Sequence, residues 1–203
     1  MTKIWQKTNE AAAVVDRFTV GRDLQFDIDL APFDVLGSLA HTEMLASIGL
    51  LSKEDKEKVH HALKAIYASM ERGEFRMQED VEDIHSQIEW MLTKELGDVG
   101  KMIHSGRSRN DQVLVDLKLF MRSELTELIK LTKEVFEVLI GISEKYQSVL
   151  IPGYTHMQVA MPSSFGLWFG AYAESLADDM SFVKAAYEVI NKNPLGSGAG
   201  FGS

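Results

Sequence analysis

Cysteine is absent from the 203 residues. Disulfides and thiolate-held zinc or iron–sulfur centres are excluded, and an intracellular compartment fits. Basic residues are few: 21 Lys and Arg stand against 30 Asp and Glu, a formal net charge of -9. Broad binding to nucleic acid needs a basic face that displaces counterions, so that class is not expected. A small cationic site for an anionic metabolite stays open. No apolar run suits a bilayer: the most apolar stretch, Ser164 to Ala177, is interrupted by Gly166, Gly170 and Glu174. Met1 to Glu10 is polar and lacks a signal-peptide core, so a cytoplasmic location is expected. Proline is scarce too, and three of the four, Pro152, Pro162 and Pro194, fall at breaks in a helical pattern. What remains is 45% hydrophobic and 25% charged, enough apolar material for a real core in an ordered chain.

Helical period dominates. Asp29 to Ile48 reads as a helix with Phe33, Leu36, Ala40, Met44 and Ala46 on its apolar positions and Gly49 at its end. Ser52, ahead of Glu54 and Asp55, reads as the N-cap of a second helix through Val59, Leu63, Ile66 and Met70, stopped by Gly73. Val81 to Leu96 is a third, closed by Gly97. From about Asn110 to Tyr146 there is no proline, and Leu114, Leu117, Met121, Leu125, Leu128, Thr132, Val135, Leu139, Ile142 and Tyr146 fall at steps of three and four. About 37 residues at 1.5 Å each is roughly 55 Å, so this helix is expected in a bundle of long helices shared between subunits. Pro162-Ser163-Ser164 restarts a helix to about Ile190, and a Gly-rich tail follows Asn193-Pro194. A last bundle helix with no return partner suggests part of a larger protein. No period-two strand pattern is convincing. The expected fold class is all-α: a small helical domain over residues 1–105, then the start of a long-helix bundle over 106–203.

Three polar clusters interrupt this structural sequence. Glu82-Asp83-Ile84-His85, with Glu89 four residues beyond His85, reads either as a capped helix start with a surface ion pair or as part of a site. His104-Ser105-Gly106-Arg107-Ser108-Arg109-Asn110-Asp111-Gln112 lies at the start of the longest helix. Free N–H groups, the positive dipole end and two forked guanidinium groups make it an anion-site candidate; a solvated N-cap loop is the plainer alternative. Pro152-Gly153-Tyr154-Thr155-His156-Met157-Gln158 sets a histidine between helix breakers, placed for proton transfer or simply satisfied in an interhelical turn. His41 reads as packed, His60 and His61 as solvated, and Met44, Phe120, Met121 and Phe136 as core. No His/Asp/Glu set has zinc-like spacing, and Gly196 to Gly200 is no dinucleotide fingerprint, since no strand precedes it.

In this order the clusters resemble the fumarase/aspartase superfamily, and within it the argininosuccinate lyases. His104 to Gln112 is similar to that family's most specific N-terminal motif without mismatch, and Gly153 to Gln158 looks like its Gly-Tyr-Thr-His-Leu-Gln with Met157 for Leu. Glu82 to His85, Asp34 to His41 and Asn193 to Gly196 match further elements; Asp27 falls on a family Asp, and Asp23 on a family serine. The resemblance implies β-elimination of argininosuccinate to arginine and fumarate, with no metal, nucleotide or other cofactor. It implies Ser108, Arg109 and Asn110 on the substrate carboxylates with Thr155 beside them, and His156 as proton donor or relay. Asp83, His85, Asp27 and Gln158 would line the same cleft. It also implies a homotetramer with active sites shared among three subunits. The family's mobile loop, which carries the serine favoured as base, has no counterpart in these residues, so the chain alone is expected to be inactive. The alternatives are a sister lyase acting on fumarate, aspartate or adenylosuccinate, and a crystallin-like scaffold without catalysis.

Overall fold

The computed structural model describes Phe18 and residues 21–78 and 81–194; the side chains of Asp23 and Leu24, and the Gly-rich tail from residue 195, lie outside the described residues. The chain divides into two compact units, residues 1–120 with 193–203, and residues 121–192. Among the described residues no helix is long and apolar enough to cross a membrane.

The first unit holds α1 (Asp23–Ser47), α2 (Lys53–Glu71), α3 (Ile84–Leu96), the short α4 (Asp98–Lys101), a 3-10 turn (Met102–His104) and the beginning of α5 (Arg109–Lys145). Ser52 caps α2 as its sequence implies, its hydroxyl accepting from Asp55 N at 3.0 Å. The start of α3 is later than the period suggested. Asp83 is its N-cap, not a first-turn residue, and its carboxylate accepts from Ser86 N at 2.7 Å. The core joins Ala31 and Val35 of α1, Val59, Ala62, Leu63 and Ile66 of α2, and Ile84, Ile88 and Leu92 of α3, with Phe75 and Ile103.

Two expectations about α1 are corrected. It begins six residues earlier than expected, so Pro32 lies inside it rather than in its first turn. More consequential is its orientation. Leu36, Ala40 and Met44 are exposed, whereas Ala31, Asp34, Val35, Ser38, Thr42 and Leu45 are buried. The buried stripe has helical spacing but half its members are polar, so a hydrophobic pattern alone points to the wrong face. His60 is corrected with it: its Nε2 lies 3.0 Å from the Thr42 hydroxyl and the residue is half-buried, while His61 is exposed.

The second unit holds the rest of α5, strands β1 (Leu150–Thr155) and β2 (Gln158–Ser164), and α6 (Phe165–Ile190). The two strands form an antiparallel hairpin where the sequence suggested a turn between helices. Almost all of the hairpin is exposed. A strand with no half-buried face has no reason to alternate apolar and polar residues, so the period-two signal is missing. A register shift between Pro152 and Tyr154 accommodates Pro152 and Gly153. Ser164 closes β2 and caps α6, accepting from Leu167 N at 3.2 Å.

Within this unit α5 and α6 run antiparallel. Ser143 Oγ donates to Gly166 O at 2.7 Å, and Arg122 stands over the Tyr187 ring at 5.9 Å. A Cβ on Gly166 would come within 2.7 Å of Gln147 Cα, so only glycine permits this approach. The only buried residues of the 37-residue α5 are polar ones of the first unit, Gln112 and Asp116. Its apolar seam is largely uncovered: Leu128, Leu131, Val135 and Val138 are exposed, Phe136 is half-buried, and on α6 so are Leu167, Tyr172 and Phe182 exposed. Met44 and Met121 are exposed and Phe120 is half-buried, which corrects their reading as core.

Candidate active site

The loop before α5 is held in place by its own polar residues. Gly106 has φ 71°, the left-handed conformation that a side chain would oppose. The Ser108 N–H donates to the Asp111 carboxylate three residues on, the return half of a capping box. Arg109 ties the starts of two helices together. Its Nε lies 3.3 Å from Asp83 Oδ2, Nη2 donates to Ser86 Oγ at 3.2 Å, and Nη1 donates to Gln112 Oε1 at 3.1 Å. Arg109 and Asp83 are thus committed to one another. The hydroxyl of Ser108 and the exposed amide of Asn110 make no hydrogen bond among the described residues. Asp111 N, in the first turn of α5, is taken by Ser108 O at 3.1 Å, so these two side chains at the helix's positive end are the donors left open to an anion.

His85 lies behind this edge. It does not pair with Glu89 on the surface; it is buried, with Nδ1 2.9 Å from Asp34 Oδ1 and 3.5 Å from Asp116 Oδ2. Gln112 Nε2 adds a 3.4 Å contact to the same Asp34 oxygen. Asp27 of α1 accepts from the N–H of Ile84, the first residue of α3 and the neighbour of His85, at 3.2 Å. Sequence reasoning did not single out Asp34 or Asp116. The available signal was the run of polar residues at Asp34, Ser38 and Thr42, spaced four apart along one helix face.

A cavity of about 250 Å³ opens beside this cluster, lined by His41, Arg107, Asp111, Gln112 and Asp116 among others. His41 is therefore more than a packed histidine. Its Nε2 lies 2.8 Å from Ser105 O, and burial, then the Arg107 cation, hold its imidazole below the usual histidine range. Arg107 donates through Nη2 to Ser38 Oγ at 2.9 Å; burial draws it downward against the opposing pull of Asp34 and Asp116. One ligand atom from each of Asp34, His85 and Asp116 lies within 4.8 Å of the others, a spacing a divalent cation could use. The neighbouring Arg107 cation works against that use.

Thr155, His156 and Gln158 belong to the second unit, at the hairpin tip. Thr155 pairs with Gln158, leaving His156 and Met157 as a two-residue loop. Both have positive φ, 48° and 62°, the geometry of a type I′ turn that usually calls for Asn or Gly. The His156 side chain is exposed. Non-glycine residues held in the left-handed region mark positions where something other than local preference sets the residue type.

The sequence matches the lyase family model over residues 5–203. It is 62% identical over 201 residues to an argininosuccinate lyase of Bacteroides thetaiotaomicron, covering 99% of this chain and 45% of that one. It is 38% identical over 200 residues to an argininosuccinate lyase of Thermotoga neapolitana, covering 98% and 50%. The chain thus spans about half the length of these curated relatives. The fold resembles that of an EDDS lyase in complex with formate, with a TM-score of 0.75 at 24% identity over 96% of this chain and 39% of that one. It also resembles a fumarate lyase:delta crystallin from Brucella melitensis, with a TM-score of 0.73 at 14% identity over 89% and 45%. These two likenesses concern the fold alone, but the family match covers nearly every residue described above: the chain belongs to the lyase family.

Proposed function

We propose that the protein carrying this chain is an argininosuccinate lyase of arginine biosynthesis in the cytoplasm. It would cleave argininosuccinate to arginine and fumarate. The observation that supports this reading most is 62% identity to such a lyase across 99% of the chain, with the polar segment His104–Gln112 matched to the family motif throughout and Gly153–Gln158 matched except at Met157.

The chemistry asks for three things. A proton must leave the carbon next to a carboxylate, and the charge that spreads into that carboxylate must be met by fixed donors. The open hydroxyl of Ser108 and the amide of Asn110, at the positive end of α5, suit that task. The Arg109–Asp83 pair would position them from behind, and Arg109 could present its remaining donor capacity to the substrate. The C–N bond then breaks, its electron pair passing to the guanidino nitrogen, which needs a proton. His156, flanked by Thr155 and Gln158, is the proposed donor or relay. His85 and Asp27 would line the same cleft. The base that removes the carbon proton is expected in the family's mobile loop.

The oligomer is also a proposal. The exposed apolar residues along α5 and α6 need further helices to cover them, and a homotetramer with sites shared among three protomers would do so. The test of function is fumarate release by the full-length protein, followed by ultraviolet absorbance with argininosuccinate, adenylosuccinate, aspartate or malate as substrate. Release from argininosuccinate alone is expected. Preference for another substrate would make the protein a sister lyase, and no turnover with any would favour a scaffold.

A further inference from the structure

Asp34, His85 and Asp116 come from three different helices, α1, α3 and α5, and each is at least 97% buried. Two N–H donors, from His85 and Gln112, converge on Asp34 Oδ1. Asp34 Oδ2 and Asp116 Oδ2 are both enclosed without a hydrogen bond, Asp116 Oδ2 lying 3.5 Å from His85 Nδ1. The charged and titratable groups facing Asp116 are Asp34 from α1, His85 from α3 and Arg107 from the loop before α5, with Asp111 and His41 beyond Arg107.

With Arg107 charged, neutrality of the cluster leaves one proton to place between Asp116 and His85. On His85 it would bury four full charges. On Asp116 it buries two, and the acid O–H stands beside the Asp34 carboxylate, its side-chain hydrogen-bonding neighbour. The imidazole then donates Nδ1–H inward to Asp34. Its Nε2 has no partner among the described residues and is not enclosed, so the small exposure of His85 falls there.

We infer that Asp116 is a carboxylic acid donating its proton to the Asp34 carboxylate, and that this pair fixes His85 with Nδ1–H inward and Nε2 as the acceptor facing away from the pair. Asp116 is a positioning residue: it acts on the site through Asp34 and His85. The catalytic part rests on the lyase reading above; the proton placement does not. Burial first, then the Asp34 charge, push the Asp116 carboxyl up to about 9. The sign follows. Between about pH 4 and 9 the folded protein holds a proton that the unfolded chain has lost, so stability through this group falls as pH rises across that window.

The test uses infrared spectroscopy of the full-length protein labelled with ¹³C-aspartate, together with an Asp116→Asn variant. The wild type should show a protonated carboxylic C=O band at neutral pH that disappears around pH 9 and is missing from Asp116→Asn. The variant, whose amide still donates to Asp34, should gain folding equilibrium constant over wild type by up to about tenfold per pH unit as pH rises. Turnover should decline above about pH 9 in the wild type and persist in the variant. Only carboxylate bands at neutral pH would overturn the inference, and so would a stoichiometric divalent ion in the wild type that Asp116→Asn loses. If no substrate turns over, the lyase reading fails while the infrared band still decides the proton's place.

Discussion

Replacing His156 with Asn should lower turnover of the full-length protein by roughly two to four orders of magnitude, the usual share of a positioned acid–base group. Thermal stability should change by less than about 0.5 kcal/mol. The structure makes this substitution unusually clean. His156 has φ 48° in a two-residue hairpin loop and its side chain is exposed, so no packing is lost. Asn is among the few residues that accept the left-handed conformation readily, so the loop keeps its shape while the imidazole goes. Turnover by stopped or continuous assay and thermal unfolding of the same preparation check both halves. A large loss of stability with His156→Asn would return the residue to a merely structural place in the turn.

The opposite pattern is expected at Asp34. Its carboxylate is 1% exposed and accepts from His85 Nδ1 at 2.9 Å, with Gln112 Nε2 at 3.4 Å. Asp34→Ala strands both donors and the facing carboxyl of Asp116, and it leaves a void on the buried stripe of α1. Removing one partner from such a buried network costs about 3 kcal/mol or more. In a chain of this size that is roughly 6–12 °C in thermal midpoint. A change of less than about 1 kcal/mol would mean that the buried polar stripe contributes little to the fold.

That stripe also explains which parts of the molecule could be read from the sequence. Helices were legible where caps and period agree: Ser52 before α2, Gly97 after α3, and the 37 residues of α5 with no proline. The family resemblance followed from motif residues that a purely structural helix start would not need. The face of α1 was not legible. Asp34, Ser38 and Thr42 occupy buried positions that a hydrophobic pattern assigns to apolar residues, and that pattern turns Leu36 and Met44 inward instead. Polar pairing and hydrophobic period competed there, and polarity took the interior. The hairpin was hidden for the reverse reason: with no buried face it carries no alternation. Within the site, Ser108 and Asn110 could be found from their motif. The pairing of Arg109 with Asp83, and of His85 with Asp34 and Asp116, spans from 26 to 51 residues of sequence and only the fold reveals it.

The central claim is that the Ser108–Asn110 segment of one protomer serves the same pocket as Thr155–Gln158 of another. Mixing settles it most directly. Ser108→Ala and His156→Asn full-length proteins, each inactive as pure preparations, are dissociated together and reassembled. With the two segments drawn from different protomers, random mixing should restore about a quarter of wild-type fumarate release, carried by sites that receive both intact segments. Activity that stays at the level of the separate variants, in oligomers shown to have exchanged subunits, would contradict the shared pocket.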